Sequence, residues 1–331
     1  ALADRYTYIP LIGLFIIVSW GTNELAGHYS VPKFVLTFFA GVVIISLIMV
    51  ASRQVSHWRN TGTLFEHAIK SVPNNYYAHA QLGFFLDRNG KGEEAAGHLA
   101  EAVRIQPDLT EAYFHLGEVF SRLGKVEEAL TNYSFAVQAN PGHWQAHFKM
   151  GAVLFENGKL DEAETSYLKA LEVNPDLMEV HYNLGLVFLN QGKYEGAANH
   201  FAKIIEFKPG FAEGHNGLGF SLAVLGKPEE AAQHYRKAIA LKPSLGKAHF
   251  NLANILVGQR KLEDAAIHYS RAVESDPTMP EAYHNLGVTF VKLERLREAN
   301  RSFENALKLQ PDFEPSLRAA NDLRPRLQEL K

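Results

Sequence analysis

Between residues 76 and 313 apolar side chains recur at helical spacing, and the whole pattern of apolar and polar positions returns every 34 residues. Prolines stand at Pro73, Pro107, Pro141, Pro175, Pro209, Pro243, Pro277 and Pro311. Between them an alanine recurs at Ala95, Ala129, Ala163, Ala197, Ala231, Ala265 and Ala299. A large apolar residue follows four positions later, at Leu99, Tyr133, Tyr167, Phe201, Tyr235, Tyr269 and Phe303. Earlier in each period a leucine or methionine precedes a small residue, as in Leu116-Gly117, Met150-Gly151 and Leu252-Ala253. Each period therefore predicts two amphipathic helices, A and B. Glycine separates them at Gly90, Gly124, Gly158, Gly192 and Gly226, where a left-handed backbone meets no Cβ clash. The proline limits helix B and marks the turn into the next period.

This pattern resembles the tetratricopeptide repeat. The resemblance implies an all-α fold, with seven repeats over residues 76–313 stacked into a superhelical solenoid, since no single helix pair buries its apolar face alone. In repeats six and seven Arg260 and Glu294 stand where glycine is expected. Those two turns are predicted to be the most irregular.

Residues 1–56 read as a membrane portion. The run from Phe34 to Ser52 has 19 residues without a formal charge. As a helix it rises about 28 Å, which predicts a spanning segment at 34–52. A second candidate at 6–25 takes in Asn23 and Glu24 near one end. The solenoid is thus expected to be preceded by one or two transmembrane helices. In the junction, 57–75, Thr63 is expected to cap a lone B-type helix starting near Leu64, with Glu66 completing a capping box. Residues 314–331 predict a closing amphipathic helix, kinked or shortened at Pro325. The chain opens Ala1-Leu2-Ala3 without methionine and reads as a segment of a longer protein.

Net charge is −3, from 33 basic and 36 acidic side chains, so there is no electrostatic case for nucleic acid as a partner. The absence of cysteine removes disulfides and thiol chemistry together. Of the 15 histidines, His79, His147, His181, His215 and His249 share one helix A position, while His98, His200, His234 and His268 share one helix B position. Stripes of this kind do not converge on a point, so structural or surface roles are expected and no metal site. No catalytic residue is expected in this segment, which lacks a carboxylate pair or a phosphate-binding glycine loop.

The concave face is the expected site. Its candidate residues are Phe155, Asn183, Leu186, Leu189, Phe220, Asn251, Val257, Asn285, Val288 and Val291. Exposed contiguous apolar surface marks contact, and the amides suit the backbone of an extended ligand. The expected partner is a polypeptide segment or another domain of the same protein, alongside the lipid bilayer; packing between helices is the alternative role for the apolar positions.

The segment Ala3-Asp4-Arg5-Tyr6-Thr7-Tyr8-Ile9-Pro10, followed by Leu11-Ile12-Gly13, resembles a motif of bacterial membrane glycosyltransferases that end in tetratricopeptide repeats. These are similar to the transmembrane and tetratricopeptide-containing O-mannosyltransferases of the GT-C superfamily. The likeness continues through Gln54 to Asn60 and Thr63 to Ala68. It implies a parent enzyme using a polyprenyl-phosphate-linked sugar, with its catalytic acid upstream of Ala1 and a polypeptide acceptor held by the repeats. Arg5 and Tyr6 would contact the lipid phosphate, which suits the fixed donor fork of arginine. The resemblance also implies an integral protein of the bacterial inner membrane with its repeats on the periplasmic side. The count of Lys33 against Arg5, Arg53 and Arg59 points instead to the cytoplasm. A membrane-tethered scaffold without enzymatic activity remains the competing class.

Overall fold

The computed structural model describes residues 20, 21, 24, 32–57 and 60–328. Every element is helical among the described residues. The A helices are Tyr76–Arg88, Thr110–Arg122, Trp144–Glu156, Met178–Asn190, Ala212–Val224, Gly246–Gly258 and Pro280–Lys292. The B helices are Gly92–Ile105, Val126–Ala139, Leu160–Val173, Tyr194–Phe207, Pro228–Leu241, Leu262–Ser275 and Leu296–Leu309. Two compact units divide them, Ala1–Ala146 and His147–Lys331.

Within a repeat the two helices are held together by a ring seated on a glycine. A Cβ added to Gly117, Gly151, Gly185, Gly219 or Gly287 would lie only 2.5–2.8 Å from the ring of Tyr133, Tyr167, Phe201, Tyr235 or Phe303 respectively. Each of those rings is at most 1% exposed. The repeating alanines of helix B, Ala163, Ala197 and Ala231 among them, are fully buried beside them. Small residues at these positions admit the close helix approach, and the ring supplies most of the apolar area the pair buries.

The turns at Arg260 and Glu294 are not irregular, contrary to expectation. Both residues adopt the left-handed conformation, φ 60° and 59°, where the other turns have glycine at 71–77°. The closing bond is also the same, from Lys261 N–H to the Leu256 carbonyl and from Arg295 N–H to Phe290, each 2.9 Å, as from Lys227 to Leu222. Packing of the helix pair dictates the turn, and the two side chains tolerate a conformation costing about 1–2 kcal/mol.

The junction helix runs Thr61–Ser71, and its cap is Asn60 rather than Thr63. The Asn60 side chain accepts from the Thr63 N–H at 2.9 Å, while the Asn60 N–H donates to the Thr63 hydroxyl at 3.4 Å. Threonine thus fills the reciprocal role expected of Glu66. Phe65 and Ile69 from this helix pack on the first unit's core around Leu82, Leu86 and Leu99. At the other end, helix Glu314–Gln328 runs through Pro325. Leu323 is buried, and Ala319, Ala320 and Leu327 pack on the second unit's core.

The expectation for residues 34–52 is overturned. The apolar run lies within helix Lys33–His57, which begins at a lysine and continues through Arg53 and Gln54. Among the described residues no helix is long and apolar enough to cross a membrane. An uncharged run is necessary for spanning but not sufficient, and the inference of an integral inner-membrane location falls with it. Segment 6–25 lies outside the described residues apart from Trp20, Gly21 and Glu24.

Two substitutions probe these contacts. Gly219→Val is expected to destabilise by about 1–3 kcal/mol through overpacking against Tyr235. Arg260→Gly and Glu294→Gly are each expected to stabilise by about 1 kcal/mol through relief of the left-handed penalty. Urea unfolding of the repeat array, followed by circular dichroism, measures all three.

Candidate functional site

Helix A of repeats four, five and six line a concave cavity of about 690 Å³ in the second unit. Tyr182, Leu186, Leu189, Phe220 and Phe250 provide its apolar surface, and Asn216 and Asn251 its amides. Its size falls within the range of about 300–1,000 Å³ usual for ligand pockets. Phe220 is 38% exposed, a large ring partly facing water. Asn251 Nδ2 donates to Asn216 Oδ1 at 3.3 Å, and Asn285 Nδ2 donates to Asn254 Oδ1 at 3.2 Å. The hydroxyl of Tyr269 also donates to Asn254 Oδ1. The amides therefore bridge successive repeats as well as facing the groove.

Four of the ten candidate residues line this cavity: Leu186, Leu189, Phe220 and Asn251. Val257, Val288 and Val291 lie half-buried against the second unit's core, as do Leu186 and Leu189. Phe155 is half-buried one repeat earlier. Asn183 is half-buried. Arg5 and Tyr6 lie outside the described residues. Tyr182, Asn216 and Phe250 line the cavity without having been singled out. They share one helix A position, directly before the amide position, and its run of large side chains in Phe148, Tyr182 and Phe250 was the available signal.

The histidine stripes prove to be partners. His79 and His98 approach through their Nδ1 atoms at 3.1 Å, as do His181 and His200 at 2.8 Å, His215 and His234 at 3.1 Å, and His249 and His268 at 2.9 Å. The Nε2 of each helix A histidine meets the carbonyl of a repeat proline, Pro73, Pro175, Pro209 or Pro243, at 2.9–3.1 Å. A carbonyl only accepts, so that Nε2 carries the proton and, in the neutral ring, Nδ1 accepts. The helix B histidine must then donate from its own Nδ1. A relay of two imidazoles thus ties helix B and helix A to the turn that enters the repeat. Burial lowers the pKa of His200 to about 4, helped by His181 and Lys203 and opposed by Glu164. Burial likewise lowers His98, His234 and His268, with the partner histidine adding to the effect in each. The pairing was legible in principle, because histidine at the helix B position always accompanies histidine at the helix A position; the other repeats combine Tyr113 with Asn132, His147 with Ser166 and Tyr283 with Ser302.

A stacked series of helix pairs with left-handed A/B turns and a ring-on-glycine core defines an all-α tetratricopeptide-repeat solenoid. Family models described as tetratricopeptide repeat match residues 110–143, 178–211, 216–280 and 280–313, and one described as TPR repeat matches 151–192. The chain belongs to the tetratricopeptide-repeat proteins. Among curated relatives it is similar to the protein O-mannosyl-transferase Tmtc2 of Drosophila melanogaster, 27% identical over 108 residues, or 33% of this chain and 11% of that protein. Human TMTC4 is 26% identical over 89 residues, 27% of this chain and 12% of that protein. The match therefore spans about a tenth of those proteins' length. Solved structures share the fold. A tetratricopeptide repeat protein from Parabacteroides merdae has a TM-score of 0.56 at 19% identity, covering 75% of this chain and 98% of that one. PilF of Pseudomonas aeruginosa has a TM-score of 0.56 at 19% identity, covering 64% and 97%.

The histidine relay carries a pH dependence with a definite sign. Unfolded histidines take up protons below about pH 6.5, whereas the buried pairs resist doing so. Stability is therefore expected to fall as pH drops from about 6.5 towards about 4, the value for His200, and to be fully present above that window. His200→Ser, the residue found at this position in repeats three and seven, is expected to flatten the slope. Urea midpoints compared at neutral pH and at pH about 5 provide the check.

Proposed function

We propose that the concave face of the second unit binds an extended polypeptide and that this chain serves as a protein-binding scaffold without catalytic chemistry of its own. The observation that carries this reading is the combination of an open apolar cavity with amide groups on its wall. Apolar side chains of a partner would displace water from Leu186, Leu189 and Phe220, while Asn183 and Asn251 would engage its backbone whatever its sequence.

A second reading has the repeats serve a larger sugar transferase that glycosylates polypeptides, the repeats holding the acceptor. Its support is the similarity to the O-mannosyl-transferases. Sugar transfer from a polyprenyl-phosphate donor by the full-length parent, with and without residues 76–331, decides between the two. Loss of acceptor use on deletion favours this second reading, and no transfer by the intact parent rejects it.

The binding role itself is tested with a displayed library of extended peptides and the whole chain. Asn251→Ala combined with Asn285→Ala is expected to weaken the selected peptides about tenfold, equivalent to about 1.4 kcal/mol. Each replacement also removes a hydrogen bond between repeats, worth about 0.5–1.5 kcal/mol, so the melting midpoint is measured alongside. Failure to select any peptide, or affinity indifferent to both replacements, would count against the proposal.

A further inference from the structure

The histidine stripes do not converge on one another, but in repeat one the junction helix brings a carboxylate to them from a second element. There His79 Nε2 meets the Pro73 carbonyl at 3.1 Å, and His79 Nδ1 meets His98 Nδ1 at 3.1 Å. His79 therefore donates to the carbonyl and accepts from His98, whose own Nδ1 carries the proton. The Nε2 of His98 is left with its lone pair. A histidine that binds metal is prepared in the same way: its other ring nitrogen donates to a fixed acceptor, which sets the tautomer and the orientation of the ring. Burial, with His79 adding to it, lowers the pKa of His98. The ring is thus neutral at pH 7, and a metal ion has no proton to displace.

Two carboxylates lie near this nitrogen. Glu94 stands four residues before His98 in helix Gly92–Ile105, on the same face one turn back. Glu66 belongs to the junction helix Thr61–Ser71 and follows Phe65, which packs on the core that contains Leu99, the chain neighbour of His98. Apart from His79, the charges acting on His98 are these two carboxylates. The other relays differ. His234 has Glu230 alone, His268 has Asp264 opposed by Arg236, and His200 has Glu164 opposed by Lys203. Among the described residues no three such groups already stand in coordinating positions. Glu66 and Glu94 are exposed, however, and Glu94 pairs with an exposed Lys91 at 3.1 Å, a weak contact in water. Turning both carboxylates towards His98 costs rotamer freedom but disturbs no packing.

We propose that His98 Nε2, Glu66 and Glu94 bind one divalent ion of the zinc class, with water completing its shell, and that the ion clamps the junction helix to the first repeat. One imidazole with two carboxylates suits zinc and its neighbours among the transition metals, whereas calcium and magnesium favour oxygen ligands throughout.

Isothermal titration calorimetry of the whole chain with zinc chloride is expected to show a single site. His98→Ser, which introduces the residue found at this position in repeats three and seven, should weaken it by about tenfold or more, as should Glu66→Gln. His234→Ser, made in a relay with one carboxylate nearby, should leave it unchanged. Glu66→Gln alters an exposed side chain outside the relay, so it tests the site without disturbing the fold. Hydrogen exchange across residues 61–71 should slow when zinc is added to the parent chain and stay the same in Glu66→Gln. No zinc binding, binding indifferent to Glu66→Gln, or an equal loss in His234→Ser overturns the site. Binding without slower exchange in the junction helix overturns the clamp.

Discussion

The structure depends on one steric arrangement, an aromatic ring of helix B lying flat against the missing side chain of helix A. With Gly151, Gly185, Gly219 and Gly287 the ring approaches to a distance that no Cβ would allow. That contact brings the helix pair close enough for the fully buried alanines to complete the packing. It also explains the tolerance at the A/B turn. Once the pair is locked, the connecting residue has only the left-handed conformation available, and Arg260 and Glu294 adopt it because a local penalty of about 1–2 kcal/mol is smaller than the cost of opening a packed pair.

Coupling from one turn into the next repeat uses polar groups. The imidazole relay satisfies the carbonyl of the repeat proline, a group that the break between helices would otherwise leave exposed or unpaired. Two rings of fixed tautomer are rigid and occupy a good deal of volume, so they pack as well as hydrogen-bond. The same arrangement makes these repeats sensitive to acid, since a proton must enter a site that burial keeps neutral. Repeats two, three and seven have Tyr113 with Asn132, His147 with Ser166 and Tyr283 with Ser302 instead, so the histidine pair is one of several solutions.

The candidate site lies in repeats four to six, where Gly217 packs against the buried Phe201 ring and the cavity lies beside the partly exposed Phe220. The solved structures with the same fold are too distant to add more than the fold, and the similarity to the O-mannosyl-transferases covers a third of this chain. The binding reading therefore stands on the geometry of repeats four to six.

Much was legible in the residues alone. The 34-residue period specified helix pairs, their breaks and the all-α class, because apolar spacing, glycine and proline act locally and need no knowledge of neighbours. The same local reasoning named Leu186, Phe220 and Asn251, which line the cavity. It failed where the outcome depends on contacts between elements. Composition could not show that Arg260 and Glu294 would accept a glycine conformation, that Asn60 would take the cap from Thr63, or that an uncharged run at 34–52 would sit inside a longer helix with polar ends. Nor could spacing tell how far each half-apolar position is covered: Leu186, Leu189, Val257, Val288 and Val291 all pack partly on the core, and of these Leu186 and Leu189 also line the cavity. The imidazole pairs likewise exist only once residues 19 apart are brought within 3.1 Å. Periodicity records which side of a helix is apolar; the stacking of one helix on the next determines how much of that side is covered.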